Sequence, residues 1–520
     1  MLLGLFLSVI KHDFIPMKDI YKKLVKNTIF VGFADLAVKL KYFIFIPIFS
    51  KLIGATGFGV WVQIMVTVNM LLPLAILGTD ASFMRFLPGK DKASIREDVS
   101  SMSIIVLVFS LLSGLAIFAF SKFLCVNFLK SVEYIDLVRL SAVFLTTFSL
   151  KELFIKYFRA MNKILLYSLF LVIESFVSIL VVIIMIMLKY GIFGALLSVT
   201  VMNVVFLVLY LILILRDVGF CRPKFLNIRS YLHYSVPLIP MMWFLWVSNS
   251  FDRYLIGYFL GPKEVGIYAA CYSISYFAVG IFASPILVVV APMVTMFWNE
   301  NDKEAAREVI NRSIKFALFF MIPSILAFTL LAKPIILLIT TPDFIKGIII
   351  VPFILMGYLF YIVGALTENV TLLFKRTRVS LAMYGVSALL NIFLNILLIP
   401  RIGLLGAAIS TFITFLVLML AIIIFTIRIK FFIGYDYIFI FKSVFASFIM
   451  ALFIFFFKPD SALQSIQAVF IGVVVYILIM VLSKGINKTE FNYIRDIFFN
   501  WTVAINGGSD AKKTTESFGK

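Results

Sequence analysis

Long apolar runs separated by short polar segments dominate the pattern of this chain. About fourteen of these runs reach twenty residues or more, the length that an α-helix needs to cross a hydrocarbon core of roughly 30 Å. Segments inside a membrane satisfy their own backbone hydrogen bonds, and the runs lack the alternation of barrel strands, so the pattern predicts helices and excludes a β-barrel. The predicted spans cover residues 28–50, 58–79, 102–122, 136–157, 164–188, 192–215, 234–260, 266–291, 316–340, 347–372, 379–400, 403–427, 438–457 and 464–483.

The composition assigns these helices to a membrane. Of the 520 residues, 63% are hydrophobic and 14% are charged, whereas soluble domains are about half apolar and a quarter charged. We therefore predict an all-α polytopic membrane protein. The formal net charge of +20 comes from basic residues dispersed in short loops, which favours membrane lipids over nucleic acid as a partner.

The basic residues also predict an orientation. About two thirds of the 46 Lys and Arg residues lie in one set of alternate loops and at the two chain ends, and the positive-inside rule places that set in the cytoplasm. Both termini are then cytoplasmic. The two His and three Cys residues are widely spaced and lack metal-ligand spacing, so neither a metal site nor a cofactor is expected.

Two glycine motifs occur twice, about 210 residues apart, which indicates two related halves. Gly54 and Gly59 in LIGATGFGVWV correspond to Gly261 and Gly266 in LGPKEVGIY, and GIFGALLS in the first half corresponds to GLLGAAIS in the second. Six predicted spans separate the copies, so both halves insert in the same direction. We predict two parallel-related six-helix lobes with a cavity between them, followed by two extra helices.

The predicted division of the chain has six regions. They are a cytoplasmic N-terminal segment (1–27), a first lobe (28–215), a cytoplasmic interfacial linker (216–231), a second lobe (232–430), two further spans (431–483) and a cytoplasmic interfacial helix with a disordered tail (484–520). The linker alternates basic and apolar residues, as segments on a membrane surface do. The sequence from Met17 onward has the character of a cytoplasmic start, so we expect the residues before it to be an extension.

Three segments resemble the recurring motifs of a known family. They are LGTDASFMRFLP (Leu77–Pro88), SNSFDRYLIGYFLGPKEVGIY (Ser248–Tyr268) and NIFLNILLIPRIGLLGAAIST (Asn391–Thr411). Together they resemble the Wzx-type polysaccharide biosynthesis flippases of the MOP superfamily, which also contains the lipid II flippase MurJ and the MATE exporters. The resemblance implies a MATE/MurJ-like fold.

The same resemblance implies a function. A Wzx-type flippase translocates an isoprenoid (undecaprenyl) pyrophosphate-linked oligosaccharide across the bacterial inner membrane by alternating access, for the synthesis of O-antigen, capsule or exopolysaccharide. The implied partners are this lipid-linked oligosaccharide, membrane lipids, a polysaccharide polymerase and a chain-length regulator. A MurJ-like lipid II flippase and a MATE-like cation-coupled exporter of small molecules are the alternatives.

Ionisable residues in or beside the predicted spans form the candidate site. Each costs at least roughly 2.5–3.5 kcal/mol at the membrane centre and needs a partner or a wet cavity. A structural ion pair or a membrane-surface anchor is the alternative role for each base, and for Lys151 beside Glu152 it is snorkelling to the interface. The bases that we predict to bind the anionic head group in a cationic cavity are Lys39, Arg85, Arg139, Lys151 and Arg253.

Carboxylates in the spans are the candidates for coupling to an H⁺ or Na⁺ gradient. Asp35 can pair with Lys39 one helical turn away, whereas Glu174 and Glu368 have no basic residue at that spacing. Adjacent residues on a helix point about 100° apart, so the two charges at 252 and 253 are not expected simply to neutralise each other. A neutral hydrogen-bonded contact between helices is the alternative for Glu174 and Glu368. For Asp252 it is a structural lock to another helix, and for Asp35 a self-neutralising pair with Lys39. The candidates are Asp35, Glu174, Asp252 and Glu368.

No motif for bond-making chemistry occurs in the sequence. The P-loop pattern is absent, and the two His residues lie far from any catalytic set. We therefore expect a transporter and not an enzyme. A membrane glycosyltransferase or polymerase is a further alternative, but it would need catalytic acids in sizeable outer loops, and the predicted outer loops do not exceed about fourteen residues.

Overall fold

The structure, a computed structural model, describes residues 19–457 and 462–485 of the chain. Within these residues the regular elements are helices, and no strand is present. The first nine helices are α1 (Asp19–Leu52), α2 (Gly54–Ile76), α3 (Thr79–Phe86), α4 (Lys92–Ala119), α5 (Ser121–Leu124), α6 (Ile135–Ala160), α7 (Ile164–Met187), α8 (Gly191–Val218) and α9 (Ile228–Ser235). The remainder are α10 (Ile239–Leu260), α11 (Pro262–Asn299), α12 (Lys303–Leu330), α13 (Ala332–Ile339), α14 (Val351–Leu373), α15 (Thr377–Ile402), α16 (Leu404–Arg428), α17 (Tyr437–Phe457) and α18 (Ala462–Leu482).

Each predicted span overlaps a long helix, although the span 316–340 continues past the end of α12 at Leu330 into the separate short helix α13. In the described part of the chain, eleven helices are long and apolar enough to cross a membrane. The other three predicted spans coincide with α1, α6 and α10, which carry charged residues inside apolar sequence. The all-α polytopic prediction is confirmed.

Several predicted loops are helical instead. The predicted loop 80–101 contains most of α3 and the first turns of α4. Most of the predicted loop 297–315 is helical too, because α11 continues to Asn299 and α12 begins at Lys303, so that only residues 300–302 form a turn. Asp91 starts α4 as its N-cap, accepting from the backbone N–H groups of Ala93 and Ser94, both at 3.1 Å. Charged residues end an apolar run but do not end a helix, so these helices extend past the apolar stretch.

The residues fall into two compact units. The described part of one unit holds residues 19–26, the end of α11 from Ile281, helix α12, and the chain from Phe432 to residue 485. In it the Tyr476 hydroxyl of α18 donates to the Phe319 carbonyl oxygen of α12 at 2.9 Å. The other unit, Asn27–Gly280 and Leu331–Phe431, contains all the predicted site residues. The predicted division into two lobes stays a prediction.

Two predicted terminal features lie outside the described residues. They are the N-terminal extension before Met17 and the interfacial helix and tail beyond residue 485.

The repeated glycine motifs adopt the same local geometry. Gly54 and Gly261 both have positive φ, 80° and 92°, where one helix ends and the next begins. The second pair of motifs behaves alike, because Gly191 and Gly403 have φ values of 57° and 60° at the starts of α8 and α16. A residue without Cβ adopts this left-handed conformation at little cost. The sequence repeat is thus a structural repeat at these turns.

The two copies of the first motif also touch each other. A Cβ placed on Gly59 of α2 would lie 1.7 Å from the Pro262 carbonyl oxygen, and one placed on Gly266 of α11 would lie 2.1 Å from the Ala55 carbonyl oxygen. The contact is reciprocal between equivalent residues of the two repeats. Small residues let membrane helices approach backbone to backbone, so this crossing requires glycine on both sides.

The predicted linker 216–231 is fastened to α4. The buried Glu97 carboxylate accepts from the backbone N–H groups of Lys224 at 3.2 Å and Leu226 at 3.4 Å. The Ser101 hydroxyl accepts from the Phe225 N–H at 3.1 Å. The linker backbone is therefore held in place by side chains of a neighbouring helix.

A second acidic residue of α4 secures the end of the linker. The buried Asp98 carboxylate accepts from Asn227 at 2.9 Å, from the Tyr231 hydroxyl at 2.8 Å and from Lys90 at 2.6 Å. Burial, together with the hydrogen bond to Asp98, raises the pKa of the Tyr231 phenol, so that it stays a neutral donor. The side chains of Phe220 and Leu226 remain exposed, as the predicted contact with a membrane surface requires.

Replacing Gly266 with Ala should destabilise the α2–α11 crossing. Because the new Cβ meets backbone atoms, we expect the free energy of unfolding to fall by about 1–3 kcal/mol, as in other overpacked sites. The measurement is thermal unfolding of the purified protein. Gly280→Ala, in the same helix with nothing within 4 Å of its Cβ position, is the control and should be neutral. Equal melting of the two variants would contradict the crossing.

Glu97→Ala should release the linker. Losing an acceptor that is shared by two backbone N–H groups frees the segment to open locally, so we expect tryptic cleavage after Lys224 to speed up by about tenfold. Limited proteolysis followed by mass spectrometry measures the rate. The exposed Glu133 gives the matched control Glu133→Ala, and cleavage at the wild-type rate in Glu97→Ala would refute the role of Glu97.

Candidate functional site

One buried cluster of charges joins α6, α7 and α8. The Lys151 ammonium donates to the Glu174 carboxylate and lies 3.4 Å from Oε1 of Glu152. The Tyr210 hydroxyl donates to the second oxygen of Glu174 at 3.3 Å. Lys151 is only 2% exposed, so the alternative of snorkelling is wrong for this residue. Glu174 finds on α6 the basic partner that its own helix lacks.

Helix α1 adds charge to this cluster. Lys41 interacts electrostatically with Glu174 and Glu152. Two lysines and two glutamates therefore balance formally. Lys41 is outside the predicted site set, because the sequence around a single Lys in an apolar run does not indicate which helix it faces. Lys39 is half-buried on the same helix, and Asp35 lies on it too, but the Asp35 side chain is outside the described part of the structure.

A second buried cluster surrounds the adjacent charges of α10. Nη1 of Arg253 lies 2.7 Å from Oδ1 of Asp252, and the Tyr268 hydroxyl of α11 donates to Oδ2 at 2.6 Å. The expectation that Asp252 and Arg253 do not neutralise each other is therefore wrong. The helical direction of the Cβ atoms differs as predicted, but the long Arg side chain folds back far enough to reach its neighbour.

Tyrosines form the walls of this second cluster. The guanidinium carbon of Arg253 lies 3.9 Å from the ring centroid of Tyr272, a cation–π distance. The Tyr272 and Tyr358 hydroxyls are 2.8 Å apart, and Tyr358 donates to Oδ1 of Asn249 at 3.3 Å. Tyr358 comes from α14, far along the chain, so no local pattern indicates that it belongs here. These tyrosine side chains therefore confine the Arg253 guanidinium next to Asp252.

Glu368 of α14 has a different environment. The Tyr384 hydroxyl of α15 donates to Oε2 of Glu368 at 2.5 Å. No Lys or Arg among the described residues forms an ion pair with it. Of the described carboxylates predicted for ion coupling, Glu174 and Asp252 have cationic partners and Glu368 has a phenol.

Two predicted bases lie apart from both buried clusters. Arg85 is exposed on α3, with its guanidinium carbon 4.5 Å from the ring centroid of Tyr234. Arg139 is 46% exposed and lies 3.4 Å from Asp136. The structure thus brings Lys151 and Arg253 each to a carboxylate and does not gather all the predicted bases around one point. Their proposed roles in substrate binding stay predictions.

A cavity of about 280 Å³, lined by both apolar and polar side chains, lies where α2, α3, α6 and α10 meet. Its polar side chains are outside the predicted site set, because residues from separate segments come together only in the folded chain. Oδ1 of Asp80 is buried without a hydrogen-bond partner among the described residues. The cavity is lined by Asn69, Leu72, Pro73, Ile76, Thr79, Asp80, Glu152, Leu153, Lys156 and Met242. In the described chain, no group of three or more His, Cys, Asp or Glu side chains is placed to hold a metal ion.

Two family models and a named relative match parts of this chain. A model of the polysaccharide biosynthesis protein family matches residues 24–298, and a MatE family model matches residues 237–397. A Haloferax volcanii protein named as a probable low-salt glycan biosynthesis flippase is 27% identical over 296 residues. That alignment covers 53% of this chain and 59% of the relative, which is less than two thirds of its length.

Solved structures share the fold. The lipid II flippase MurJ in an inward closed conformation superimposes with a TM-score of 0.72 at 17% identity, covering 88% of this chain and 99% of that chain. A multidrug resistance MATE family transporter of the MOP superfamily, in an inward-facing conformation, gives 0.60 at 16% identity, covering 82% and 98%. At these identities the likeness shows the fold alone, and the MATE/MurJ-like prediction is confirmed.

The Lys151–Glu174 pair should be strongly coupled in stability. Lys151→Met or Glu174→Gln alone leaves a buried charge without its partner and should cost about 3–5 kcal/mol, whereas the double variant should cost much less than the sum. Thermal unfolding of the four proteins measures the cycle. The exposed pair Arg139 and Asp136, which also involves α6, is the control and should give about 0–1 kcal/mol. Additive effects at Lys151 and Glu174 would rule out the buried pair.

Proposed function

The chain belongs to the polysaccharide biosynthesis protein family, and from this membership we propose that it is a flippase, a transporter and not an enzyme. Its proposed substrate is an isoprenoid (undecaprenyl) pyrophosphate-linked oligosaccharide. The glycan flippase named among its relatives supports this substrate class. The proposed product is glycan on the outer face of a bacterial inner membrane, where a polymerase and a chain-length regulator would take it into O-antigen, capsule or exopolysaccharide.

The observation that carries the proposal is that charged and polar side chains are buried within long apolar helices. Ionisable side chains in a membrane segment are costly and are kept where they face partners, substrates or ions. Two such clusters, around Lys151 and Arg253, lie in one compact unit together with a polar cavity. A pyrophosphate and a sugar cannot cross hydrocarbon unaided, because each unsatisfied polar group costs several kcal/mol.

The proposed mechanism is alternating access with the isoprenoid tail left in the lipid. Arg253 is the strongest candidate for the pyrophosphate, because a guanidinium binds phosphate oxygens with two parallel hydrogen bonds. The phosphate would take the place of Asp252 as its anionic partner. Exposed Arg85 would make the first contact, and Lys39, Lys151 and Arg139 remain candidates for the rest of the head group.

Ion coupling would act on the carboxylates. A carboxylate that takes up H⁺ or Na⁺ no longer neutralises its partner, so uptake at Asp252 or Glu174 would release Arg253 or Lys151 for the substrate. Glu368 has no basic partner to release among the described residues, and Asp35 completes the candidate set. A charge that moves through the membrane potential supplies about 2.3 kcal/mol per 100 mV.

Lipid II transport is the second candidate function. The MurJ structure has the higher TM-score of the two fold relatives described above, 0.72 against 0.60. Lipid II also carries a sugar on an isoprenoid pyrophosphate, so the same buried charges would serve it. The substrate in a transport assay therefore decides between the two.

Reconstitution tests the proposal. Proteoliposomes that contain the full chain should translocate a fluorescent undecaprenyl pyrophosphate oligosaccharide, measured by quenching from outside, and an imposed H⁺ or Na⁺ gradient should change the rate. The neutral double variant Asp252→Asn with Arg253→Gln should lower the rate at least tenfold, because it removes the phosphate ligand without leaving an unpaired charge. Arg401→Gln, at an exposed arginine outside the predicted site set, is the control and should leave the rate unchanged.

The outcomes separate the hypotheses. Transport of lipid II in preference to the oligosaccharide lipid would replace the proposed substrate with the second candidate. Full transport by a stably folded double variant would remove Asp252 and Arg253 from the mechanism. Movement of neither lipid by the wild type would defeat the flippase proposal.

A further inference from the structure

The cavity at the junction of α2, α3, α6 and α10 shares Glu152 with the first charge cluster, but its other lining residues take no part in the transport proposal. Ligand pockets of roughly 300–1,000 Å³ hold drug-sized molecules, so a cavity of about 280 Å³ suits a ligand the size of one sugar ring. Its walls combine apolar side chains such as Leu72, Pro73 and Met242 with the polar groups of five others. These five are Asn69, Thr79, Asp80, Glu152 and Lys156.

The polar groups of the cavity match hydroxyls. Carboxylates accept hydrogen bonds, an ammonium donates them, and the Asn69 amide does both, while each sugar hydroxyl donates one and accepts others. Oδ1 of Asp80 is buried and has no hydrogen-bond partner among the described residues. A buried acceptor without a partner is costly, and a ligand hydroxyl would satisfy it.

The charge of the lining sets the class of ligand. Asp80 and Glu152 carry two negative charges against the single positive charge of Lys156, which interacts electrostatically with both. Glu152 also lies 3.4 Å from Lys151, but the closer partner of Lys151 is Glu174. Because Glu152 also faces Lys151, and Lys41 acts on it from α1, the site has no surplus positive charge to bind a phosphate or a uronic acid, and its carboxylate acceptors suit neutral or amino sugars.

We infer that this cavity is a glycan subsite, which takes one neutral or amino sugar ring of the substrate while the pyrophosphate binds elsewhere. The identity of the ligand as part of a lipid-linked glycan rests on the proposed function. Asp80 and Glu152 are then the residues that select the sugar by charge. Leu72 and Met242 contact the apolar face of the ring.

Sugar binding to the full chain in lipid nanodiscs tests the subsite. The probes are N-acetylglucosamine, glucosamine and glucuronate, and saturation-transfer NMR measures their affinities. We expect the wild type to bind the first two at least tenfold more tightly than glucuronate. Asp80→Asn and Glu152→Gln should each reduce that preference by roughly tenfold, because each removes a charge-assisted contact. Asp136→Asn is the exposed control on α6 and should leave the preference unchanged.

A variant that keeps every charge guards against misfolding of the neutralised ones. Leu72→Phe narrows the cavity and should weaken all three sugars. The inference is overturned if Leu72→Phe binds as the wild type does, if the charge variants keep the wild-type preference, or if the wild type binds no sugar. If the protein translocates the lipid but binds no sugar, only the subsite is excluded. If it binds sugars selectively but translocates no lipid, only the flippase proposal is excluded.

Discussion

The ion pair between Lys151 and Glu174 joins two helices that could not each hold their charge alone in hydrocarbon. A buried charge that loses its partner is strongly destabilising, so α6 and α7 must pack with these two side chains in register. Tyr210 extends the same requirement to α8 through its hydrogen bond to Glu174. The cost of burying charge therefore requires α6, α7 and α8 to pack around one point.

The same constraint shapes the second cluster and links two parts of the proposed mechanism. Arg253 has its own carboxylate, and its guanidinium is walled by tyrosine rings, so it is neutralised before any substrate arrives. In the proposed mechanism an anionic head group would compete with Asp252 for the guanidinium, and uptake of an ion by Asp252 would weaken that competition. One pair of adjacent residues would then couple ion binding to substrate binding without a separate relay.

Sequence patterns predict what local physics decides. Apolar length is sufficient to place every long helix, and the left-handed glycines of the two repeats are visible because they recur in the chain. Partners are harder to predict, because Glu174 meets Lys151 only after α6 and α7 pack. The Cβ direction of Arg253 predicts that its charge points away from Asp252, whereas the long side chain bends back so that its guanidinium contacts Asp252. The cavity around Asp80 is formed by residues of four helices, so no regular spacing in the sequence predicts it.

The symmetry of the chain is in its backbone and not in its charges. Gly59 and Gly266 are equivalent in the two repeats and contact each other, so neither can change without affecting both. By contrast, the first-repeat equivalents of Asp252 and Arg253 are Phe45 and Ile46, both buried and apolar. The fold needs the glycine in both repeats, because Gly59 and Gly266 lie on opposite sides of the same helix crossing. It does not need the charges twice, and their occurrence in one repeat alone agrees with the proposed role of Asp252 and Arg253 in transport.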